Sequence, residues 1–171
     1  MKKKTSALIP GTFDPVTVGH FEIIRTASAF FDEVTVLLGN NADKNTMFSL
    51  EERKTMLTEA VGRLGNVTVA AYDGLIGDYC LENKIDVIYK GLRSSSDYDY
   101  EEEMALVNGF LSPETKTLFL EATGDNRFVS STMVRTFLKA GRDVSQWLPE
   151  GVKLPEKPEK SEKIDKKGRK A

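Results

Sequence analysis

From residue 5 to about residue 150 the chain alternates short β-rich runs with stretches of helical spacing. Runs at 7–9, 33–38, 67–72, 86–90 and 117–120 have strand character. Between them, 21–31, 50–64, 76–83, 100–111 and 131–140 read as helices; the first places Phe21, Ile24, Ala27 and Phe31 on one face. Ser49 and Glu52 form a capping box that marks where the second helix begins. Strands that alternate with helices at this spacing make βαβ units and a parallel sheet, and right-handed crossovers put helices on both of its faces. The expected fold is therefore α/β, a Rossmann-like doubly wound parallel five-stranded sheet in a single domain. Ligands of such sheets bind beyond the carboxyl ends of the strands, where strand order reverses. That directs attention to residues 10–20, 39–47, 72–76, 90–101 and 121–132.

Composition narrows the function classes. The chain has 171 residues and a net charge of −2, with no overall basic bias, which argues against a dedicated nucleic-acid binder with its clustered basic face. No apolar run approaches the ~20 residues of a membrane-spanning helix. Met1-Lys2-Lys3-Lys4 resembles the charged start of a signal peptide, but Pro10-Gly11 cuts short the apolar segment that should follow. A cytoplasmic protein without membrane or nucleic-acid partners is expected. Cys80, the sole cysteine, reads as a small buried hydrophobe. Residues 151–171 are rich in Lys, Glu and Pro and too polar to offset chain entropy, so they are expected to form a charged, disordered tail after a domain spanning 1–150.

The segment with most chemistry is Pro10-Gly11-Thr12-Phe13-Asp14-Pro15-Val16-Thr17-Val18-Gly19-His20, which leaves the first strand and enters the first helix. Gly11 permits a tight turn and close approach of a ligand. Thr12 offers a hydroxyl to a phosphate oxygen, and His20, the only histidine, falls at a helix start, where free N–H groups favour an anion. By themselves these residues also fit a capped or surface histidine. Likewise Ser130-Ser131-Thr132 fits a helix cap, Lys44 and Arg93 fit surface cations, and the acidic run 97–103 fits a solvated helix start.

Thr17-Val18-Gly19-His20 resembles the (H/T)-x-G-H signature of nucleotidyltransferases, and the wider segment resembles the phosphopantetheine adenylyltransferase family. Four further blocks, in order, carry the resemblance over about residues 6–150. They are Lys44 with Met47-Phe48-Ser49-Leu50-Glu51-Glu52-Arg53, then Lys90-Gly91-Leu92-Arg93, Asp97-Tyr98-Asp99-Tyr100-Glu101, and Val129-Ser130-Ser131-Thr132-Met133-Val134-Arg135. Val18, Lys90, Asn126 and Ile9 depart from the family's usual Asn, Arg, Trp and Tyr or Ala. Lys90 thereby offers a point charge in place of a bidentate fork.

The resemblance implies transfer of AMP from ATP to 4′-phosphopantetheine, giving dephospho-coenzyme A and pyrophosphate. It assigns His20, Lys44 and Arg93 to catalysis, with His20 donating to the α-phosphate. It places ATP on Thr12, Phe13, His20, Gly91, Leu92, Arg93, Glu101, Asn126, Arg127, Phe128, Val129, Ser130, Ser131 and Thr132. It places the acceptor on Thr12, Lys44, Ile76 and Lys90. Mg²⁺ would arrive with ATP, there being no carboxylate cluster for a dedicated metal cage. A homohexamer and feedback by coenzyme A are implied in the same way. Alternatives are an adenylyl- or cytidylyltransferase with another phosphate acceptor, a nucleotide-binding domain without catalysis, and a flavodoxin-like binding domain.

Overall fold

A computed structural model describes residues 4–39, 45–92, 95–121 and 128–155 of the chain. Five strands, β1 (Ser6–Gly11), β2 (Glu33–Gly39), β3 (Val67–Tyr72), β4 (Val87–Leu92) and β5 (Lys116–Glu121), form one sheet. Their order is β3-β2-β1-β4-β5, and all the pairings are parallel. The helices between and after them are α1 (Val18–Phe30), α2 (Leu50–Val61), α3 (Ile76–Asn83), α4 (Ser95–Leu111) and α5 (Ser131–Lys139), followed by a short 3₁₀ turn at Ser145–Trp147. This is the expected doubly wound arrangement. The strand order reverses between β1 and β4.

Two-residue alternation in the strands sorts side chains to the two faces. Ala7 and Ile9 of β1, and Val34, Val36 and Leu38 of β2, join Ile24 and Ala27 of α1 and Met56 and Leu57 of α2 in one core. Leu8, Leu37 and Ile88 point the other way and meet Cys80, with Ile76 and Tyr79 of α3 packed against them. A third cluster of Val129, Val134 and Val144 seats α5 against Val18 and Trp147. Packing runs past residue 150: Val152 is buried in the first core and Leu154 packs against it. The rest of the expected tail, 156–171, lies outside the described residues.

Cys80 is fully buried, and burial pushes its thiol from an ordinary value of 9.0 up to about 11. A thiol with a raised folded-state value binds its proton more tightly in the native protein. Its contribution to stability is therefore complete below about pH 9 and is lost as pH rises towards about 11. Denaturant titrations at pH 8 and pH 10.5 check this, since Cys80→Ala should flatten that alkaline decline. In the native protein Cys80 should also resist alkylation that proceeds readily on the unfolded chain.

Helix boundaries differ from the periodicity in two informative places. α1 begins at Val18 rather than 21, because Thr17 caps it and His20 takes the place of the usual acid in a capping box. α4 begins at Ser95 rather than 100. Its first turns are acidic and polar, which suits a helix N-terminus but shows no apolar period. α3 and α4 touch closely: a Cβ on Gly77 would sit 2.5 Å from the Cβ of Leu111.

Candidate active site

A cavity of about 480 Å³ opens where β1 to β4 end, beside the reversal of strand order. Thr12, Ile76 and Lys90 line it, together with Tyr72 at the end of β3 and Tyr100 and Asn108 of α4. These three residues, assigned to the acceptor from sequence, thus come to one wall-lined space. Lys44, the fourth, lies outside the described residues, as do Arg93, Asn126 and Arg127.

Of the nucleotide candidates, Thr12 and Phe13 lie in the loop from β1 to α1, and His20 in the first turn of α1. Phe13 is buried, has a left-handed φ of 49°, and sets its ring edge-on to the His20 imidazole at 5.1 Å. A bulky residue at positive φ is costly and persists only where its surroundings hold it. Gly11 belongs to the same turn, for a Cβ there would lie 2.8 Å from the Phe13 ring. The Thr17 backbone N–H donates to His20 Nδ1 at 3.1 Å, and the His20 N–H donates back to Thr17 Oγ1 at 3.4 Å. An Nδ1 that accepts carries no proton, so the neutral ring bears its proton on Nε2. The first motif therefore builds an imidazole whose tautomer and plane are set by its own loop.

Ser130 caps α5, its hydroxyl accepting from the Met133 N–H at 3.1 Å. The Ser131 hydroxyl donates to the Pro15 carbonyl at 2.8 Å, and Thr132 Oγ1 accepts from Arg135 Nη2 at 3.1 Å. This run thus caps its helix and also ties it to the first loop. Val129 is buried in the third cluster, while Phe128 is exposed. Gly91 and Leu92 complete β4, in register with Leu120 and Glu121. A Cβ on Gly91 would run into Ile23 of α1, which gives that glycine a packing reason as well.

Lys90 and Glu101, expected on opposite substrates, face each other. Lys90 Nζ lies 2.9 Å from Glu101 Oε2, and both side chains are about one-fifth exposed, at 19% and 21%. The pair holds the lysine against α4 at the edge of the cavity.

Three buried or half-buried polar groups had no role assigned from sequence. The Asp14 carboxylate accepts the Met47 and Phe48 amides, each at 2.9 Å. Arg135 Nη1 donates to the Asp14 carbonyl at 2.6 Å and lies 3.4 Å from its Oδ2. Arg53 is 3% exposed and donates to the carbonyls of Thr12 at 2.8 Å and Gly39 at 3.5 Å. Burial holds the Arg53 guanidinium below its ordinary value, and the nearby Asp14 charge opposes that fall. One signal was available: Arg53 stands in the apolar stripe of α2 with Met56, Leu57, Ala60 and Val61. A charged residue in such a stripe is buried and must find partners. Among the described residues no group of three or more His, Cys, Asp or Glu is placed to hold a metal ion.

The cytidylyltransferase-like family matches residues 8–137. The phosphopantetheine adenylyltransferase of Nautilia profundicola is 41% identical over 145 residues, covering 85% of this chain and 94% of that protein. The chain belongs to the phosphopantetheine adenylyltransferases. The phosphopantetheine adenylyltransferase of Cupriavidus taiwanensis is 41% identical over 159 residues, covering 88% of this chain and 99% of its own. That of Thermotoga neapolitana is 42% identical over 142 residues, covering 83% and 88%. A crystal structure described as a putative nicotinate-nucleotide adenylyltransferase from Vibrio parahaemolyticus shares the fold, with a TM-score of 0.63, 18% identity, and coverage of 86% and 88%. In this phosphopantetheine adenylyltransferase the cavity lies beside the loop from β1 to α1. No helix among the described residues is long and apolar enough to cross a membrane.

Proposed function

We propose that the chain transfers AMP from ATP to 4′-phosphopantetheine, producing dephospho-coenzyme A and pyrophosphate. The observation that carries this reading is the cavity bearing Thr12, Ile76 and Lys90, joined through Gly11-Thr12-Phe13 to the loop that fixes His20. Its size and mixed lining suit an arm with apolar and amide character that ends in a phosphate. The names of the relatives point to the same acceptor.

The acceptor phosphate, with a second pKa near ~6, is largely a dianion at neutral pH and attacks the α-phosphorus without a general base. Catalysis then consists of alignment and stabilisation of charge on the transferring group. The Thr12 hydroxyl and Lys44 orient the attacking phosphate, with Lys90 beside the cavity and Ile76 against the arm. His20 donates from Nε2 to an α-phosphate oxygen. Arg93, Ser130, Ser131 and Thr132 hold the triphosphate, and the adenosine lies towards Gly91, Leu92 and Glu101, with Asn126, Arg127, Phe128 and Val129 also assigned to ATP. Mg²⁺ enters as part of the ATP substrate. We assign the protein to the cytoplasm and its assembly to a homohexamer, which light scattering tests.

Pyrophosphate release tests the reading. The full chain with ATP and Mg²⁺ should release pyrophosphate when 4′-phosphopantetheine is added, and far less with nicotinamide mononucleotide or a polyol phosphate. Equal release with those acceptors would overturn the substrate assignment.

A further inference from the structure

Asp14 joins three separate parts of the molecule, although nothing in the reaction above uses it. Its carboxylate is 3% exposed. One oxygen takes the Phe48 N–H, and the other takes the Met47 N–H and faces Arg135. Arg135 also reaches the Asp14 carbonyl and, with its second nitrogen, Thr132 Oγ1. Ser131 adds a bond from α5 to Pro15, the next residue. The loop of Thr12 and Phe13, the entry to α2 and the N-terminal turn of α5 are therefore fastened at one residue.

From this geometry we propose that Asp14 is a positioning residue. Its carboxylate, with Arg135, sets the start of α5 and the entry to α2 against the loop that carries Thr12, Phe13 and His20. A carboxylate is needed because both partners on the α2 side are N–H donors and the α5 partner is a cation. An asparagine would turn an NH₂ group towards one of these donors and would leave the guanidinium without its counter-charge. The protein would still fold around the same loop, but the phosphate-side groups would lose their fixed separation. Small displacements of aligned groups carry large costs in rate. The proposal rests on the nucleotidyl transfer assigned above.

The test compares Asp14→Asn, Arg135→Gln and the double variant in the full chain, with Ser112→Ala as a control. Ser112 is a buried hydroxyl bonded to Thr115 at the turn before β5, at the other end of the sheet. All are assayed well below their unfolding midpoints, for kcat and for equilibrium binding of ATP with Mg²⁺. Asp14→Asn should lower kcat on the order of tenfold or more and weaken ATP by about fivefold. The double variant should be no worse than Asp14→Asn, because residues that act as one unit do not add. Ser112→Ala should stay within about twofold of wild type in both. Wild-type values in Asp14→Asn, or losses that multiply in the double variant, would overturn the proposal. Where Asp14→Asn does not fold, Arg135→Gln and Arg135→Lys decide: the lysine should recover part of the lost kcat, and an unimpaired Arg135→Gln overturns the proposal. ATP binding needs no acceptor. A wild-type chain that binds ATP but makes no product from 4′-phosphopantetheine would therefore refute the assigned reaction, while the ATP affinities still judge Asp14.

Discussion

Replacing His20 with alanine should lower kcat by about a hundredfold or more, the loss of ~3 kcal/mol that follows removal of one donor from a charged transition state. The geometry makes this specific. The imidazole Nδ1 is occupied by the Thr17 N–H, which leaves Nε2 as the donor. ATP binding should change little, because most of the triphosphate contacts are assigned to other groups and the His20 donor acts mainly where charge develops. Single-turnover kinetics on His20→Ala and His20→Gln check the expectation. Turnover like the wild type in His20→Ala would remove the histidine from the mechanism. A modest secondary loss of stability is expected as well, since His20 completes the capping box of α1.

Arg53→Met should give the largest loss of stability among changes to the site's framework. The methionine fills much of the same volume but leaves the carbonyls of Thr12 and Gly39 without their donor. A buried acceptor stripped of its partner costs roughly 1–3 kcal/mol, so a loss of about 2–4 kcal/mol is expected. In a chain of this size that lowers the thermal midpoint by about 5–12 °C. Because Thr12 follows β1 and Gly39 ends the neighbouring β2, both at the cavity, kcat should fall even where the variant is fully folded. Arg53→Lys should recover only part of either loss, for one ammonium cannot reproduce the guanidinium fork. Calorimetry together with kinetics at low temperature checks both points. A midpoint within about 2 °C of wild type would show that these carbonyls are satisfied in another way.

The fold was legible in the sequence because its signals are periodic. β1 and β2 bury side chains on both faces, and α1 and α2 repeat their apolar residues every three or four positions, so each element declares its own type. α4 was half legible. Its apolar residues mark the second half, but its acidic opening has no period and its start at Ser95 was missed. The first turn of α1 was hidden for another reason: a histidine fills a capping position that an acid normally holds.

Local framework was legible where a residue type has few uses: the hydroxyl run 130–132 reads as a helix cap, and Ser130 caps α5. Pairing was not legible. Lys90 and Glu101 are eleven positions apart, and nothing in their spacing indicates that each neutralises the other. Asp14 was quoted as part of a motif, yet its amide partners come from Met47 and Phe48 and its cation from Arg135. Such contacts depend on how β1, α2 and α5 meet, which is tertiary information. Of these residues Arg53 alone carried a local signal, its place in an apolar stripe, and that signal went unread.

Identification of the product decides whether the chain carries out this adenylyl transfer. The full chain, incubated with Mg²⁺, an equimolar mixture of ATP and CTP, and 4′-phosphopantetheine, should yield dephospho-coenzyme A by mass spectrometry, with one pyrophosphate formed for each molecule. A cytidylyl adduct as the main product, or no nucleotidyl adduct of 4′-phosphopantetheine, would contradict it.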